Sequence, residues 1–98
     1  MKSIIQKEKE CYLCGGTQNL ECHHIFFSAL RPASDKWGMK VWLCSYHHRD
    51  SKQGVHGNRE LDLKLKRKAQ EVFEEKHGHE KFMLVFGRNY LDDNDIKK

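Results

Sequence analysis

Apolar residues at positions 61, 65, 69, 72 and 73 repeat with the spacing of one helical face, which predicts a helix from Arg59 to about Lys76. Gly78 is placed to end it, and a shorter helix is expected from about His79 to Phe86, closed by Gly87. Tyr90 and Leu91 then read as a last apolar anchor before the polar tail of residues 92–98, expected to be disordered. Upstream the apolar runs are shorter and richer in β-branched and aromatic residues. Leu20, Cys22 and the Ile25-Phe26-Phe27 cluster predict a strand over 20–27, and "MKVWLC" predicts a second over 39–44. Between them, "RPASDKWG" (31–38) reads as a loop from its Pro, Ser, Asp and Gly. "SYHHRDSK" can begin a short helix with Ser45 as N-cap, and "QGVHGN" (53–58) breaks it. Residues 1–10 read as a lead-in, either a short strand at Ile4–Ile5 or a frayed end.

These elements make one small α+β domain over 1–98: a core at 10–58, a helical extension at 59–91 and the tail. A domain of 98 residues buries a limited core and often leans on metals or disulfides. The longest apolar run, "FMLVF", is far too short to span a bilayer, and no secretory leader pattern is visible; a cytoplasmic protein with no membrane partner is expected. In such a setting Cys-x-x-Cys with histidines at ligand spacing points to metal rather than disulfides.

"CYLCGG" (11–16) has the form of a zinc knuckle: two thiolates grip one ion only if the chain turns tightly, and Gly15-Gly16 permit the turn. Cys44-x-x-His47 repeats the spacing of Cys11-x-x-Cys14, so Cys11, Cys14, Cys44 and His47 form the expected structural Zn²⁺ tetrad. Cys22 has no partner at that spacing and is assigned to the core. His23, His24, His48 and His56 are then left over. One tetrad suffices for a structural zinc domain, so four surplus histidines suggest a second metal site.

Charge refines this picture. The chain carries +4 overall, and all of it falls in residues 1–59, where nine Lys/Arg oppose five Asp/Glu. Five of the seven histidines lie between 23 and 56, so the positive excess and the ligand chemistry share one half of the chain, as expected of a segment that meets a polyanion. Arg49, Lys52, Arg59 and Lys40 are the candidate phosphate contacts. The run Lys64, Lys66, Arg67, Lys68 reads as a solvated helix face, interleaved with Glu60, Asp62 and Glu71.

Taken together, "CYLCGG", "LECHHIFF", "KVWLCSYHH" and "GVHGN" resemble the HNH (ββα-metal) endonucleases, over about residues 10–58, and within them the small bacteriophage-type nucleases of the recombination-enhancement kind. The resemblance implies a zinc-knuckle treble clef with a ββα-metal core, and a phosphodiester hydrolase that nicks or cleaves DNA with low sequence specificity. It puts His24 at the general-base position. His23, His48 and His56 fall at the ligands of a catalytic divalent cation (Mg²⁺, Mn²⁺, Ni²⁺ or Zn²⁺), and a recombination or phage protein becomes a conceivable recruiting partner. Two departures stand out. Met39 occupies the place of the Asn that helps orient the base, leaving Asp35, a backbone carbonyl or Asn58 to do so. His56 follows His48 by eight residues, where four is commoner. The competing reading is a treble-clef zinc module that binds nucleic acid or protein without cutting. A further expectation is geometric: a regular strand points His23 and His24 to opposite faces, so serving one site requires the chain to bend or the strand to end there.

Overall fold

A computed structural model describes residues 2–50 and 52–91; the tail expected to be disordered lies outside them. Strand β1 (Leu20–His24) pairs antiparallel with β2 (Lys40–Cys44) in a two-stranded sheet, with Leu20 opposite Cys44 and His24 opposite Lys40. Directly opposite residues share a face. Glu21 and His23 therefore lie on the side of Leu43 and Val41, which are fully buried, while Cys22 shares the outer side with Trp42. This corrects the assignment of Cys22 to the core: it is exposed, because alternation gives the inward position to His23. The strand is also shorter than expected. Ile25 and Phe26 are buried but lie beyond the paired residues.

Residues 31–38 correct a second expectation. Arg31–Lys36 is a helix, α1, rather than a loop, preceded by a 3₁₀ turn at Ser28–Leu30. Pro32 lies in its first turn, where the missing N–H has no helical partner to lose. Ser34 explains why the segment is ordered. It is fully buried, accepts from the Phe26 N–H at 3.2 Å and donates to the Met39 carbonyl at 2.6 Å, tying α1 to both chain ends that flank it. Met39 itself is completely buried.

Helix α2 (Ser45–Arg49) starts directly after β2, with Cys44 rather than Ser45 at the N-cap position and without a side-chain cap. Residues 2–10 of the lead-in form no strand, although the Ile4 N–H donates to the Gly38 carbonyl. Helix α3 (Arg59–His77) begins at Asn58, whose side-chain oxygen accepts from the N–H groups of Glu60 and Leu61. It ends at Gly78, which adopts φ +88°, and α4 (His79–Phe86) folds back and stops at left-handed Gly87. Leu65, Ala69 and Phe73 of α3 and Phe82 and Phe86 of α4 complete the core around Phe26, with the Tyr90 ring tilted against that of Phe26. Among the described residues no helix is long and apolar enough to cross a membrane.

Candidate metal centres

The knuckle is built by backbone closure. The Gly15 N–H donates to the Cys11 carbonyl and the Cys11 N–H to the Gly16 carbonyl, both at 2.7 Å, with Gly15 at φ +77°. The Tyr12 N–H donates to the Trp42 carbonyl, which fixes the knuckle beside β2. Cys44 at the end of β2 and His47 on α2 arrive from the other side. Cys14 Sγ lies 3.9 Å from Cys44 Sγ, and His47 Nδ1 lies 3.8 Å from Cys11 Sγ and 3.3 Å from Cys44 Sγ. Zinc bonds of about 2.3 Å to sulfur and about 2.0–2.1 Å to nitrogen separate neighbouring tetrahedral donors by about 3.5–3.8 Å. The four residues thus could hold a metal ion such as zinc. At Cys11 burial disfavours the thiolate, but the backbone N–H groups of Cys44, Cys14 and Leu13 outweigh it and bring the thiol down to about 6, toward the ligating form.

The second cluster joins His23 from β1, His48 from α2 and His56 from the turn before α3. His48 Nε2 and His56 Nε2 are 3.1 Å apart, and the His23 ring centroid lies 5.1 Å from each of theirs. Nitrogens bound to one ion at about 2.0–2.1 Å fall about 2.9–3.4 Å apart, depending on geometry, so this spacing fits shared ligation. His23 Nε2 supplies the sharper observation. It is buried without a hydrogen-bond partner, in a ring only 2% exposed, at a cost of about 1–3 kcal/mol unless something else engages it. Burial, followed by His48 and His56, pushes His23 down to about 3, and burial then His48 lower His56. Both rings are therefore neutral, with a lone pair to offer.

The eight-residue gap between His48 and His56 is taken up by a compact turn. Asp50 accepts from the Lys52 and Gln53 N–H groups, the Gly54 N–H donates to the Asp50 carbonyl, and the Val55 N–H returns to the His47 carbonyl at 2.8 Å. Gly54 lies so close to α2 that a Cβ there would meet Asp50 N at 2.6 Å and Asp50 O at 2.7 Å. Val55, 2% exposed, plugs into the core, and the next residue, His56, is delivered to His48.

His23 and His24 turn out to be the last two residues of β1, so the strand does end there. Their side chains leave on opposite faces, yet both line one hollow with Cys22, Phe27, Arg31, His48 and His56. His24 Nε2 lies 3.3 Å from Asp35 Oδ1, and Lys40 donates to the same oxygen at 2.9 Å. Lys40, and then His24, hold the Asp35 carboxyl below its ordinary range. Lys40 was expected at the phosphate surface; it is 7% exposed and committed to Asp35 instead. Asn58, the other expected partner for His24, caps α3 and donates to the Lys52 carbonyl. Arg59 lines a neighbouring hollow with His56 and Asp62, while Arg49 and Lys52 are exposed. Lys66 leaves the solvated run: it is buried, paired with Asp62 at 2.6 Å and set over the Phe27 ring.

One residue beside the histidines was not expected from the sequence. Glu21 Oε1 accepts from His48 Nδ1 at 2.6 Å and from Arg49 Nε at 3.0 Å, and the available signal was its position two residues before His23 on the same strand face. Arg31, expected as positive charge near the ion on a loop, lines the histidine hollow from the first turn of α1. No family model matches the chain, and no curated protein or solved structure does either.

Proposed function

We propose that this protein is a metal-dependent phosphodiester hydrolase acting on DNA, built as an HNH-type treble clef with a structural zinc at Cys11, Cys14, Cys44 and His47. The observation that carries the reading is the histidine hollow. Three imidazoles converge there, one with a buried nitrogen lacking any protein partner, and a fourth, carboxylate-held imidazole lines the same space. His23, His48 and His56 would hold a divalent ion, which would supply Lewis-acid stabilisation of charge on the phosphate and on the departing oxygen.

The chain's own groups do the rest. Three neutral ligands leave the full charge of the ion to attract an anionic substrate. Asp35 accepts the Nε2–H of His24, which leaves the lone pair of the neutral ring on Nδ1, the atom that takes a proton from the attacking water. Asp35 thereby does the orienting work for which Met39 has no polar atom. Arg31 in the hollow, with Arg49, Lys52 and Arg59 nearby in sequence to the ligands, provides charge for backbone phosphates, contacts that position a strand without reading its bases.

Plasmid nicking by purified protein with Mg²⁺, Mn²⁺, Ni²⁺ or Zn²⁺ tests the reading. Cleavage is expected with at least one ion and is abolished or cut by roughly 10²–10⁴-fold in His24→Ala, the usual range for loss of a general base. Inactivity with every ion favours a zinc module that binds without cutting, and equal cutting by the alanine variant removes His24 from the mechanism.

A further inference from the structure

We propose that Glu21 is a positioning residue for the second metal site, fixing the tautomer of His48 so that its Nε2 lone pair faces the ion. The inference rests on the reading of His23, His48 and His56 as ligands of one ion, and it adds the selection of which ion they take. A neutral imidazole carries one N–H, and a carboxylate can only accept. The 2.6 Å contact from His48 Nδ1 to Glu21 Oε1 therefore places the proton on Nδ1 and leaves Nε2 unprotonated. That nitrogen is the one 3.1 Å from His56 Nε2. The strand supplies the arrangement: Glu21 and His23 are two residues apart on the same face of β1, so one strand offers a ligand and the partner of a second ligand.

Arg49 completes the device. Its Nε donates to the same Glu21 oxygen at 3.0 Å, a second donor from α2 that holds the carboxylate turned toward that helix. Both donors meet Oε1, and Glu21 is not among the residues whose ligand atoms converge. Asp62, beside His56 in the neighbouring hollow, meets Lys66 through Oδ2 and also lies outside that group. The three converging residues, His23, His48 and His56, offer only imidazole nitrogens. Mg²⁺ and Ca²⁺ require oxygen ligands, whereas imidazole sets suit borderline first-row ions. The site that Glu21 organises is therefore one for Zn²⁺, Ni²⁺ or Co²⁺ in preference to Mg²⁺.

The test is Ni²⁺ titration by calorimetry into protein whose Cys₃His site is already filled with zinc. Wild type is expected to bind one Ni²⁺. Glu21→Ala and the similarly sized Glu21→Leu should weaken that binding by about 10–100-fold, the usual consequence of removing such a hydrogen-bond partner, with zinc content unchanged. Glu21→Gln, whose amide oxygen still accepts from Nδ1–H, should recover part of the loss, a rescue that a merely structural ion pair with Arg49 does not predict. Nitrogen-15 NMR of the wild type before Ni²⁺ is added should find the His48 proton on Nδ1. Binding within twofold of wild type by either folded variant, or a proton on Nε2, overturns the role of Glu21 while leaving the hydrolase reading intact. Failure of wild type to bind a second ion instead overturns the ligand reading itself.

Discussion

Replacing Gly54 by Ala probes how the chain brings His56 back to His48. The new methyl carbon would sit 2.6 Å from Asp50 N, 2.7 Å from Asp50 O and 2.9 Å from Arg49 N. All three are backbone atoms at the end of α2, so no side-chain rotation relieves the contact. Overpacking of this kind costs typically about 1–3 kcal/mol. The turn is held on its far side by buried Val55, whose N–H donates to His47, so moving away from α2 strains that bond. The cost therefore appears in one of two places. If the turn keeps its position, the zinc-loaded protein melts lower, by about 4–8 °C per kcal/mol for a domain of this size. If the turn shifts, His56 moves with it and the second ion binds more weakly, tenfold for each 1.4 kcal/mol or so diverted. Thermal denaturation followed by circular dichroism, together with Ni²⁺ titration of the same sample, measures both. An alanine variant that melts within about 1 °C of wild type and binds Ni²⁺ equally well would refute the account of the eight-residue spacing.

Other expectations follow from single contacts. Cys14→Ala should abolish zinc retention and unfold the domain, visible as lost chemical-shift dispersion, whereas His24→Ala should keep both zinc and fold. Ser34→Ala leaves the Phe26 N–H without its partner and should lower stability by about 1–3 kcal/mol in urea denaturation; an unchanged midpoint would remove Ser34 as the tie between α1 and the sheet. The Asp35 carboxyl, held down first by Lys40, should titrate nearer its ordinary 3.8 in Lys40→Met, followed by carbon-13 NMR. The sign is that of a depressed acid: the pair stabilises the fold while Asp35 is ionised, and the contribution fades as pH falls through the carboxyl's own midpoint. Chelation of the Cys₃His ion should unfold the knuckle reversibly, and readdition of Zn²⁺ should restore it.

What the sequence determined by itself is what depends on short separations along the chain. The face of α3 repeats every three to four residues, and glycines mark the ends of α3 and α4, so both helices were legible to within a residue or two. The Cys₃His group was legible for the same reason, because Cys-x-x-Cys and Cys-x-x-His each set two donors within one turn of chain. The segment 31–38 misled because its Pro and Ser were read for their turn chemistry. In the folded chain Pro32 sits harmlessly in the first turn of α1, and Ser34 uses its hydroxyl to bind the flanking backbone. Asp35 was among the candidates the sequence offered for His24, and α1 rather than a loop carries it there. Glu21 reaches His48, and His56 reaches His48, only because α2 packs beside β1 and the turn at Gly54 closes against it. These contacts join residues 8 to 27 positions apart, and no local periodicity encodes such a meeting. Sequence named the histidines; the packing of α1, α2 and the Gly54 turn against the end of β1 assigned each its neighbours.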